Sequence, residues 1–206
     1  INSKTAGLRD NNKNNIIIEE REIIMRKYIK IKKVVAVITV ASCLALSGCG
    51  SNTKTEETTK AVSLSEIHDA VAKAYGEDYL PSYTFDEAYM EDVFGITSDL
   101  YDEVYAEGPK VSLNVDTFVA IKAKAGKADE VKKKLDDYRE SLIATAYPDT
   151  LIKAQTSVVS QYGDYVFFTC LGVISDEAQT AGDDAVVKEA KEDNKVATDV
   201  IKGFFE

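Results

Sequence analysis

Between Ala74 and Pro109 the chain carries ten carboxylates, six tyrosines, two phenylalanines and no lysine or arginine. Carboxylates interleaved with phenol rings can grip a cation or a basic peptide. They can also hold a sugar, whose C–H face stacks on a ring while its hydroxyls donate to the acids. The residues placed for this are Tyr79, Tyr83, Asp86, Tyr89, Glu91, Asp92, Tyr101 and Asp102. Pairs such as Asp86 and Glu91 are also of the type that serves as acid and base in glycoside hydrolysis, although many such pairs are available here. The other reading of this stretch is an acidic helical layer, its tyrosines covering one edge of a sheet and its acids turned to water. Calcium suits the residue types, but no D-x-[DN]-x-[DN]-G loop is present.

Other chemistries lack their residues. His68 is the only histidine, and it falls beside the apolar stripe of a first helix, the place of a boundary histidine more than of a catalytic base. A zinc site of His and Cys is excluded, because His68, Cys170 and Cys49 are the only such ligands left once Cys43 is removed with the export signal described below. There is no G-x-S-x-G elbow, no P-loop and no G-x-G-x-x-G turn. No cofactor and no metal are expected. Cys170, in an apolar run, reads as a buried, inert thiol, so no disulfide within the monomer is expected.

From Met25 the chain reads MRKYIKIKKVVAVITVASCLALSGCGS. Five basic residues precede an apolar run of 13, Val34 to Leu46, which ends in small residues, and this is the layout of an export signal at residues 25–48. The run is shorter than the roughly 20 residues that span a bilayer. Leu46-Ser47-Gly48-Cys49 resembles the lipobox of bacterial lipoproteins, in which the Cys thiol takes a diacylglyceryl group and a peptidase cuts between Gly48 and Cys49. Small side chains at Ser47 and Gly48 fit a peptidase cleft, and only a thiol forms the thioether. Cys49 is therefore the expected lipidation site, with acyl chains such as palmitate holding the protein to the cell membrane. Two chains anchor stably where one is marginal. Residues 49–62 then form a polar, lipidated tether. Residues 1–24 resemble neither signal nor folded element, and Glu19 to Glu22 back-translate to a purine-rich run of the ribosome-binding type, so they are read as untranslated leader or a disordered extension before a start at Met25.

The formal net charge is -10, from 25 basic and 35 acidic residues. The residues before Cys49 take nine basic and four acidic ones, which leaves 16 against 31, a net of -15. A nucleic-acid partner is excluded, because binding phosphates needs a basic footprint that the main body lacks. Anionic lipid would repel this domain, so attachment to the membrane should come from the lipid.

Residues 63–206 must build the scaffold. Ser63 with Glu66 forms a capping box ahead of a helix from Leu64 to Tyr75, ended by Gly76. Asp86 to Phe94 reads as a short helix closed by Gly95, and a strand is expected at Glu103 to Ala106. Thr117 to Ala123 reads as a strand, and Ala128 to Ala146 as a helix with Val131, Leu135, Tyr138 and Leu142 inward. Thr156 to Tyr162 and Tyr165 to Val173 flank the Gly163-Asp164 hairpin turn, the second strand being central because it is apolar on both faces. Asp176 to Gly182 reads as linker and Asp183 to Phe205 as a terminal helix. The expectation is one α+β domain, helices packed on a mainly antiparallel sheet of about four strands, preceded by the signal peptide and a flexible tether.

Phe94-Gly95-Ile96, the passage from Phe118 to Lys127 with Asp129-Glu130-Val131, and Tyr162-Gly163-Asp164-Tyr165-Val166 resemble a family of small lipoproteins of Gram-positive anaerobes that is catalogued as a domain of unknown function. The resemblance spans about Leu64 to Leu171, implies lipoprotein topology, and brings no catalytic residue. The leading expectation is a non-enzymatic, lipid-anchored module on the extracytoplasmic face of the cell membrane that binds or scaffolds an envelope protein, a glycan or a cation. The competing one is a carboxylate-dependent cell-wall or glycan hydrolase.

Overall fold

The computed structural model describes residues 62–110 and 114–206. The leader, the signal peptide, Gly48, Cys49 and the tether through residue 61 lie outside the described residues. Helix α1 (Leu64–Tyr75) begins where expected, the Ser63 hydroxyl accepting the Glu66 N–H at 3.4 Å. Leu64, Ile67, Val71 and Tyr75 form its buried stripe. After a short 3-10 turn comes β1 (Tyr83–Thr84), then α2 (Glu87–Phe94), capped by Asp86 through the Tyr89 N–H at 2.9 Å. Strands β2 (Tyr101–Gly108) and β3 (Thr117–Ala123) lead to α3 (Ala128–Thr145). On its wet side, Lys132–Asp136 and Lys133–Asp137 are ion pairs at 2.6 Å. The chain continues through α4 (Leu151–Thr156), β4 (Val158–Tyr162), β5 (Tyr165–Cys170), α5 (Asp176–Ala181) and α6 (Asp183–Lys202).

The five strands lie in the order β1-β2-β3-β5-β4 and every pairing is antiparallel. Helices cover both faces. On one, Val119, Ile121, Val166 and Phe168 pack with Met90 and Phe94 of α2 and Val131 and Leu135 of α3. On the other, Phe118, Ala120 and Phe167 pack with Ile67 and Val71 of α1 and Ala197 and Ile201 of α6. Phe118, Phe167 and Phe168 are fully buried, and each such side chain contributes about 1.5–3 kcal/mol of hydrophobic stabilisation.

The expected α+β sheet is present, its fifth strand being β1, two residues long and too short to show an alternation. Three expectations are corrected. Residues 151–156 form helix α4, which moves the start of β4 from Thr156 to Val158. Residues 176–181 are helical rather than linker, because the Ser175 hydroxyl accepts the Ala178 N–H at 3.2 Å and starts a turn. Strand β5 is internal but lies one place from the β4 edge; its two apolar faces reflect the helices above and below it.

The register defines two ends of the sheet. Lys122 pairs with Tyr165 at one, Thr117 with Cys170 at the other, roughly 17 Å apart at about 3.4 Å per residue. Val62 enters at the first end, donating its N–H to the Tyr165 hydroxyl at 3.1 Å.

Candidate functional site

The structure gathers Tyr83, Asp86, Tyr89, Glu91 and Asp92 on β1 and α2. Phe85, buried between them, stacks on Tyr89 with centroids 4.1 Å apart and lies 6.2 Å from the Tyr83 ring. Tyr83 is 50% exposed, Tyr89 36% and Val93, one turn along α2, 43%. Burial and the nearby Tyr83 hydroxyl raise the Tyr89 pKa. Asp86, Glu87, Glu91 and Asp92 are exposed, and among the described residues none of them forms an ion pair. One Asp86 oxygen serves the helix cap. Lys134 reaches from α3 toward Gly95 at the far end of α2. Tyr101 is half-buried, its pKa raised by burial and by the Glu87 charge, and Asp102 is exposed where the β2–β3 register shifts.

Tyr79 does not join this surface. It lies on the α1 face of the sheet, where its hydroxyl donates to Glu107 Oε1 at 2.5 Å. His68 Nε2 is 2.8 Å from the same oxygen, and its Nδ1 is 3.0 Å from Asp69 Oδ1. The imidazole stacks on Tyr105 at 4.2 Å. Glu107 is 7% exposed, a buried acid satisfied by a phenol and an imidazole, and the group ties α1 to β2. Burial and the Glu107 contact push the Tyr79 pKa far up, so its hydroxyl stays a donor. His68 is thus the boundary histidine expected, but Glu107 and Tyr105 were not singled out in the sequence. The available signal was alternation in β2, which places Tyr105 and Glu107 on one face.

A second polar group lies at the Cys170 end of the sheet, under an open cleft of about 340 Å³ with Leu80, Val173 and Ile174 at its apolar side. Lys153 of α4 sits in its floor, its ammonium 2.6 Å from Asp116 Oδ2 and donating also to the Gly172 carbonyl. Asp116 is 1% exposed and its Oδ1 has no hydrogen-bond partner. Burial raises its pKa against the opposing pull of Lys153. Asp193 of α6 lies on the other side of Gly172, its Oδ2 also without a partner. Burial, then the charge of Glu189, lifts Asp193 to about 7. Cys170 lies beneath, its thiol pushed up to about 12 by burial, which fits an inert side chain. Among the described residues no group of three or more His, Cys, Asp and Glu is arranged to hold a metal ion. Also among them, no helix is long and apolar enough to cross a membrane.

Together these features define an α+β domain with both faces of an antiparallel sheet covered and its polar clusters at one end and one edge. Residues 74–171 match the family described as Domain of unknown function (DUF4358). The matched stretch holds the Tyr83–Val93 surface, Glu107, Asp116 and Lys153, and leaves out His68 and Asp193. No curated protein and no solved structure matches this chain.

Proposed function

We propose that this chain is a lipoprotein of the bacterial envelope, held to the extracytoplasmic face of the cell membrane by a diacylglyceryl group on Cys49. Its α+β domain is a non-enzymatic binding or scaffolding module. The observation that carries the binding role is the exposure of Tyr83, Tyr89 and Val93, large apolar side chains at the surface of a strongly acidic stretch. Anchoring rests on Leu46-Ser47-Gly48-Cys49 following its basic and apolar regions.

Cells producing the full chain and fed labelled palmitate test the anchor. The label is expected on the protein and in the membrane fraction, and both are expected to vanish in Cys49→Ala. Membrane fractionation without label in that variant overturns the lipid anchor. The hydrolase alternative would need Asp86 or Glu91 as acid or base. Turnover of muropeptides or glycans by the intact protein, abolished by Asp86→Asn or Glu91→Gln, would replace the binding role with catalysis.

A further inference from the structure

The cleft at the Cys170 end of the sheet holds unmet hydrogen-bonding capacity beside unpartnered apolar surface. Asp116 lines it and is 1% exposed, and its Oδ1 has no hydrogen-bond partner; the Asn114 side chain and the Gly172 N–H lie near the carboxylate but give that oxygen no bond. A buried polar atom almost always has a partner. Lys153 has three N–H groups, and its contacts to Asp116 Oδ2 and the Gly172 carbonyl use two of them. Its side chain is 11% exposed and also lines the cleft. Of the apolar side chains there, Leu80 is 39% exposed and Val173 44%. We propose that this cleft binds an uncharged aliphatic carboxamide, of the kind a small peptide amide presents, its oxygen accepting from Lys153, its nitrogen donating to Asp116 Oδ1 and its alkyl group resting on Leu80 and Val173. The inference goes beyond the envelope-module reading, and none of these residues belongs to the Tyr83–Val93 surface.

The charges in the floor select the head group. An anion is unsuited, because the Lys153 charge is already met by Asp116, and Asp193 stands across Gly172 with Glu189 near it. A cation meets the Lys153 ammonium, and among the described residues no group of acids is arranged to hold a metal ion. The head is therefore uncharged. It must accept from Lys153, which bonds Oδ2, and donate to Oδ1, the other oxygen of the same carboxylate. These two functions lie side by side, as oxygen and nitrogen do in a carboxamide; an ester or ether only accepts, and a hydroxyl offers both from a single atom. The body follows from the walls. Leu80, Val173 and Ile174 are aliphatic, and among the described residues no aromatic ring lines the cleft, so a sugar lacks the ring on which its C–H face would stack. The volume of about 340 Å³ is at the small end for ligand sites and suits a branched amide of a few carbons.

The test is backbone-amide NMR of the detergent-solubilised full chain titrated with isobutyramide. Its counterparts share the same alkyl body: isobutyrate, isobutylamine, isobutanol and N,N-dimethylisobutyramide. Isobutyramide is expected to shift the Asp116, Gly172 and Val173 signals saturably, with a Kd of about 1–10 mM for a ligand of its size. Isobutyrate, isobutylamine and the dimethyl amide, which cannot donate, should each bind about tenfold or more weakly, and isobutanol about threefold more weakly. Leu80→Ser with Val173→Ser, both at exposed positions and so tolerated by the fold, should weaken isobutyramide by about fivefold or more. Lys133→Ala, on the wet side of α3, leaves it unchanged. Asp116→Asn removes the acid that keeps anions out and frees the Lys153 charge, so isobutyrate is expected to gain on isobutyramide. Should that variant unfold, the ligand series and the Leu80/Val173 variant decide alone. Any counterpart binding as tightly as isobutyramide overturns the inference, as does indifference to the Leu80/Val173 change. Absence of saturable shifts at the cleft with every probe also overturns it, and leaves the Cys49 anchor and the Tyr83–Val93 surface untouched.

Discussion

Asp193 rests directly on Gly172: a Cβ at residue 172 would lie 2.3 Å from the Asp193 Cβ and 2.4 Å from its Oδ2, closer than atoms pack. Gly172 also has φ +112°, a conformation that L side chains rarely adopt. Gly172→Ala is therefore expected to cost more than about 2 kcal/mol, from strain and overlap together. Adding Asp193→Ala should recover the part of the overlap made by the carboxylate, but neither the part made by the Cβ that alanine keeps nor the backbone part. Urea unfolding of the three variants measures the split, and a double variant no more stable than Gly172→Ala would sink the claim of direct contact.

Asp193 makes stability depend on pH. Its pKa is raised from 3.8 to about 7 by burial and by Glu189, so the folded chain holds a proton that the unfolded chain releases near 4. The stabilising contribution is complete below pH 4, falls as pH rises from about 4 to 7, and is flat above that window. Asp193→Asn cannot ionise. It should match the native protein at pH 4 and exceed it at pH 8 by about 1–2 kcal/mol, after discounting for the solvent that reaches a half-buried side chain. Thermal melts across pH 4–8 read this as a gap in Tm that opens with pH, and a constant gap would contradict it.

Local signals in the sequence located the elements whose cause is local. Ser63, Asp86 and Gly95 bound α1 and α2, and the apolar stripe and i,i+4 pairs of α3 mark it from one end to within a residue of the other. Helices α4 and α5 escaped because six residues are too few to display a period, although the Ser175 cap was there to be read. The site was half legible. Tyr83, Tyr89 and the acids between them are near in sequence and so near in space. The Lys153–Asp116 pair spans 37 residues and the His68–Glu107 pair 39, and only sheet register and helix packing bring such partners together. Tyr79 is close to Tyr83 in the chain, yet it faces Glu107, across the sheet from α2.

Lys153 and Asp116 form a buried pair, so their loss should be strongly non-additive. Lys153→Met strands the Asp116 carboxylate, 1% exposed, and is expected to cost about 3–5 kcal/mol. Lys153→Met with Asp116→Leu removes both charges and should cost less than Lys153→Met alone. Denaturant unfolding of the single and double variants gives the coupling. Additive costs would mean that the two side chains act independently.

The Tyr79 hydroxyl shares Glu107 Oε1 with His68, and it is the shorter of the two contacts at 2.5 Å against 2.8 Å. Tyr79→Phe keeps the ring and its edge contact with His68, whose centroid is 5.6 Å away, and deletes only the donor. The buried carboxyl then keeps the imidazole and the neighbouring Tyr105 hydroxyl but loses its shortest contact. The expected loss is about 1.5–3 kcal/mol, the range for a hydrogen bond to a charged group. Tyr83→Phe is the control, because the 50% exposed Tyr83 hydroxyl can be replaced by water, and its cost should be within about 0.5 kcal/mol. Since the group joins α1 to β2, amide exchange in α1 should quicken in Tyr79→Phe relative to α3. Equal exchange in both helices would show that Glu107 is held without Tyr79 and that the cluster does not fasten α1.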